Sequence, residues 1–74
     1  MPKDGVSRLT KREEEILKLC AKGYTNAQIA LALGISPKTV ATYMSRVCLK
    51  LQVNNRTAAV AVYLFHKSTK SASE

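Results

Sequence analysis

Apolar residues recur along this chain at helical spacing, three and four apart, and do not alternate as a strand would. "LTKREEEILKLC" opens the pattern. Thr10 stands three residues before Glu13, the spacing of a capping box, and Leu9 precedes it as a staple. Ile16, Leu17 and Cys20 form the apolar stripe, and Gly23 ends the helix. "TNAQ" repeats the signal, with Thr25 as cap and Gln28 three residues on. Ile29, Ala30 and Leu33 follow, and Gly34 closes this helix after about two turns. Ile35 is then a buried pin in a tight turn. Ser36 caps a third helix with Pro37 at its first position, where the missing N–H costs nothing. That helix should run to about Leu51. "VNN" is a connector, Asn54 or Asn55 caps a fourth helix over residues 56–66, and "KSTKSASE" reads as a polar tail. The expected architecture is all-α: a compact four-helix helix-turn-helix domain at residues 9–66. Residues 1–8 are a flexible lead and 67–74 the tail.

The third helix has three sectors when its residues are placed ~100° apart. Val40, Met44, Val47 and Leu51 fall on one line and face the core. Lys38, Ala41, Thr42 and Ser45 lie opposite, with Leu49 further along. Thr39, Tyr43, Arg46 and Lys50 form a flank. Short side chains near the start of the outward face let the backbone approach a surface, as a helix entering a DNA major groove requires. Thr42 and Ser45 can exchange hydrogen bonds with base edges, and the methyls of Ala41 and Thr42 can touch a thymine methyl. The basic and hydroxyl tips of the flank suit phosphate contacts. A solvated amphipathic surface would explain the polarity of this face but not its lack of acids.

Charge strengthens that reading. Twelve Lys and Arg oppose five acids, for a net charge of +7, and every residue from Ile16 to Ser73 is neutral or basic. A polyanionic partner follows, nucleic acid before an acidic membrane surface. No apolar run reaches the ~20 residues of a membrane span, and "MPKDGVSRLT" lacks the apolar core of a secretory signal, so a cytoplasmic location is the expectation. Cys20 and Cys48 sit at apolar helical positions as small core residues. With His66 as the one histidine, no metal site is expected, and no cofactor. No nucleophile–base–acid set or glycine-rich phosphate loop can be assembled, which argues against an enzyme.

The stretch from "LTKRE" through "LGIS", "KTV", "KL" and "RTAAV" resembles the LuxR/FixJ-type helix-turn-helix domain of bacterial transcription regulators. The resemblance covers residues 9–64. Region 4 of sigma factors has a similar helix-turn-helix and "KL", but the fourth helix after "VNNRTAAV" favours the LuxR type. The resemblance implies a recognition third helix, a double-stranded DNA partner with two half-sites, and a homodimer through the fourth helix. Its base-facing positions fall on Ala41, Thr42 and Ser45, with Arg46 beside them. Its DNA-backbone positions fall on Lys38, Thr39, Tyr43 and Lys50. Thr25 and Asn26 open a helix start suited to a phosphate, and Arg56 is a phosphate contact or a partner for Glu13–Glu15. RNA polymerase is a further candidate partner. This chain departs from the family in having Ala41 where Lys or Arg is common, Tyr43 where His is common, and Leu49 where a polar residue is usual.

The fourth helix, "RTAAVAVYLFH", is apolar almost all round. Ala59, Val60 and Tyr63 can face the core, which leaves Ala58, Ala61, Val62 and Phe65 for a two-fold dimer interface. Deep wedging of that helix in a small domain is the alternative. Two other functions stay open: a basic module that meets an acidic protein, and an RNA binder. The RNA reading lacks a cluster of exposed aromatic rings for base stacking.

Overall fold

The computed structural model describes the backbone of residues 6–72 and the side chains through Lys67; residues 1–5 of the expected lead and 73–74 of the expected tail lie outside it. Four helices follow one short 3-10 turn, Val6–Arg8: α1 is Lys11–Ala21, α2 Asn26–Leu33, α3 Pro37–Leu51 and α4 Arg56–Ala72. No strand occurs among the described residues.

Local chemistry accounts for most of the boundaries. The Glu13 amide donates to Thr10 Oγ1 at 3.1 Å, and the Thr10 amide donates to Glu13 Oε1 at 2.9 Å. The same reciprocal pair joins Gln28 and Thr25, at 3.1 and 2.8 Å. Ser36 Oγ accepts from the Thr39 amide, with Pro37 in the first helical position. Asn55, rather than Asn54, starts α4, its Oδ1 accepting from the Ala58 amide at 2.8 Å. Gly34 ends α2 at φ +71°, a left-handed conformation that a side chain would strain. α3 stops on Gln52 at φ +59°, an uncommon conformation for a residue with a Cβ.

α3 packs against α1, α2 and α4. Ile16, Leu17, Ile29, Val40, Val47 and Ala59 are fully buried between them, with Cys20, Met44, Leu51 and Tyr63 at the margin of the same core. A domain this small has little apolar surface to bury, so each of these side chains carries a large share of its stability.

Two expectations need correction, and a third is refined. Val6 is buried in the core and Val6–Arg8 forms a 3-10 turn, where a flexible lead was expected; one apolar side chain in reach of α3 and α4 is enough to pin the turn. α4 runs on to Ala72 and does not stop at His66, because "KSTKSA" contains neither Gly nor Pro to break it. On α4, Val62 is half-buried beside the core, and Ala61, Leu64 and Phe65 are exposed on the outer face.

Candidate nucleic-acid interface

The short turn Gly34–Ile35–Ser36 sets α3 across α2 and leaves one side of α3 in solvent. Ala41, Thr42, Ser45, Arg46 and Lys38 are exposed there, while Val40, Met44, Val47 and Leu51 hold the opposite side in the core. The helical period alone produces this division, since the two sets lie about 180° apart. Thr39 and Tyr43 are half-buried on the flank.

Hydrogen bonding refines what these side chains offer. Thr42 Oγ1 donates its proton to the Lys38 carbonyl at 3.1 Å, one turn back. Its oxygen is left as an acceptor, which suits a donor on a base edge, such as adenine N6 or cytosine N4. Thr39 Oγ1 lies 2.9 Å from Ser36 Oγ within the cap. The Arg46 guanidinium sits over the Tyr43 ring, 5.8 Å from its centroid, which draws its charge to the flank.

Two of the cations expected at the DNA backbone, Lys50 and Arg56, have partners inside the protein. Lys50 Nζ donates to Glu13 Oε1 at 2.8 Å and approaches the Arg8 carbonyl at 3.5 Å. Its ammonium therefore neutralises a buried carboxylate. Burial alone pushes the Glu13 pKa up. The Lys50 hydrogen bond, the Thr10 amide and the Lys50 charge together outweigh that, and the net shift is downward. Arg56 reaches none of the three glutamates. Its Nη1 donates to Asn26 Oδ1 at 2.7 Å, its Nη2 to the Tyr24 carbonyl at 3.2 Å, and its Nε to Cys20 Sγ at 3.1 Å. The start of α4 is thereby tied to the start of α2, where Thr25 is exposed and Asn26 half-buried. Sequence pattern could not reveal this bond, which spans thirty residues.

Ala41, Ser45 and Leu49 line one open groove together with Asn26, Asn54 and Arg56. Its volume is about 470 Å³. The groove thus joins the exposed ridge of α3 to the starts of α2 and α4. Cys48 lies half-buried along it as a free thiol, whose pKa burial pushes up. Among the described residues no cluster of three or more His, Cys, Asp or Glu could hold a metal ion, and no helix is long and apolar enough to cross a membrane.

A four-helix domain with a short turn between its second and third helices, and an exposed, acid-free third helix, defines a helix-turn-helix DNA-binding module. The sequence profile of the bacterial regulatory proteins of the luxR family matches residues 7–63, and the chain belongs to that family. It is 54% identical over 57 residues to proteins named response regulator protein VraR in Staphylococcus aureus, Staphylococcus saprophyticus and Staphylococcus epidermidis. The match takes in 77% of this chain and 27% of each relative, so the chain spans about a quarter of the length of the curated relatives it matches.

Proposed function

We propose that the chain binds double-stranded DNA in a sequence-dependent way within a cytoplasmic transcription regulator, with α3 lying in the major groove. The observation that carries this reading is the outward face of α3. Ala41, Thr42 and Ser45 are exposed and short, no acid lies near them in sequence, and Lys38 and Arg46 flank them. Thr42 and Ser45 hydrogen-bond base edges, and Ala41 packs on a thymine methyl. Lys38, Thr39, Tyr43 and Arg46 meet the phosphates, and so do the amides at the start of α2, beside Thr25, Asn26 and Arg56.

Two copies pair through α4. Ala58, Ala61, Leu64 and Phe65 lie on the side of α4 away from the core residues Ala59 and Tyr63, and Phe65 is 74% exposed. A two-fold contact covers that apolar face on both copies and sets two half-sites about one helical turn apart. RNA polymerase is a further partner of the regulator in this reading.

Random-sequence DNA selection with the purified chain at two salt concentrations tests the proposal. A two-fold motif that survives the higher salt is the expected result. Enrichment of no motif, with all binding lost at the higher salt, means backbone attraction alone and overturns sequence-dependent binding.

A further inference from the structure

Leu49 has no role in the interface described so far. It is 79% exposed, and it is not on the rim of the helix. Counting ~100° per residue, it lies within about 20° of Thr42 and Lys38 and nearly opposite the Val40–Met44–Val47–Leu51 stripe. It also follows Ala41 and Ser45 at four-residue spacing, and all three line the same groove. The line from Ala41 through Ser45 to Leu49 therefore reads apolar, hydroxyl, apolar, with Lys38 at the start of the same face and Arg46 on the flank.

The chemistry of a leucine limits what it can meet there. Its side chain has no donor or acceptor, so packing it on a phosphate would strip water from the charge and return nothing. Among the groups exposed in the major groove, the C5-methyl of thymine is the apolar one. Leu49 stands eight residues after Ala41, or about 12 Å along the axis at ~1.5 Å per residue. With bases stacked ~3.4 Å apart, that distance matches about three to four base pairs along the groove.

We infer that Leu49 is a second apolar base reader, so that each half-site carries a thymine at the Leu49 step as well as one at the Ala41 step, about three to four base pairs apart. This rests on the DNA-binding reading above and adds a specificity-determining residue to it. The two steps are read by shape and methyl contact, and Ser45 supplies the hydrogen bond between them.

The test begins with the motif selected by the wild-type chain. Each thymine in a half-site is replaced in turn by uracil, which removes only the methyl, and affinity is measured for wild type, Leu49→Ala and Leu31→Ala. Leu31 is an equally exposed leucine on α2, 86% accessible, and controls for a general loss of apolar surface. Both substitutions are at the surface and leave the core intact. Wild type should lose about fourfold in affinity at the Leu49 step, as expected for one methyl. Leu49→Ala should lose that discrimination at that step alone, and Leu31→Ala should retain it. Wild-type binding indifferent to uracil at every thymine beyond the Ala41 step overturns the inference and leaves the DNA reading standing. So does discrimination that survives in Leu49→Ala. Failure to select any motif overturns both.

Discussion

Thr10 and Thr25 start their helices in the same way. Each hydroxyl accepts from the amide three residues on, and each third residue reaches back to the threonine amide. The surroundings differ. Glu13 is 2% exposed and holds Lys50 from the far end of α3, thirty-seven residues away. Gln28 is exposed and holds only its own cap. One box is a long-range tie between α1 and α3. The other finishes a helix start at the edge of the groove. A capping box specifies where a helix begins, and its packing determines what else it does.

The comparison breaks most readily at Lys50. Lys50→Ala leaves the Glu13 carboxylate buried without its charge partner, at a cost of about 2 kcal/mol. For a domain of this size that corresponds to a fall in Tm of roughly 8–16 °C, measurable by helical circular dichroism. An unchanged Tm with a shallower salt dependence of DNA binding would place Lys50 in the phosphate-contacting set.

Acid should act through the same pair. The folded-state pKa of Glu13 lies below its ordinary value of 4.5. The stability it contributes is therefore complete above that value and is lost as pH falls through the depressed pKa. Urea unfolding between about pH 6 and pH 3 should find a steeper loss in the wild type than in Glu13→Gln. Parallel curves would show that the pair contributes no pH dependence.

At the other box the effect should be smaller. Gln28→Ala removes one exposed reciprocal bond and should destabilise by about 0.5–1 kcal/mol. A loss equal to that of Lys50→Ala would mean that burial does not separate the two boxes. Arg46→Ala should alter stability least, by no more than ~0.5 kcal/mol, since the residue is exposed and its contact is with the Tyr43 ring. Its effect should appear in the logarithmic salt dependence of DNA binding, which should fall by ~1. An unchanged slope would exclude a phosphate contact.

Much of the fold was legible in residue order. The caps Thr10, Thr25 and Ser36, the stops at Gly23 and Gly34, and the core stripe of α3 all follow from interactions within one or two helical turns, which spacing encodes directly. The outward position of Ala41, Thr42 and Ser45 follows from the same period. Other features depended on what lies across the core. Lys50 and Arg46 are both basic residues on one flank of α3, and nothing local separates them. Only the packing of α1 against α3 puts Glu13 within reach of Lys50 and leaves Arg46 at the surface. Val62 and Leu64 were equally ambiguous, because an almost uniformly apolar helix does not state which side its neighbours will cover. Arg56 could have met Glu13–Glu15 by charge, but the approach of α4 to the start of α2 gives it Asn26 and Tyr24. The sequence by itself thus determined the helices, their ends and the face of α3 that meets solvent, because those depend on chain stereochemistry and a 3.6-residue period. The tertiary structure alone decided which cations are free and which apolar side chains stay uncovered, because those depend on distances between residues that the chain keeps far apart.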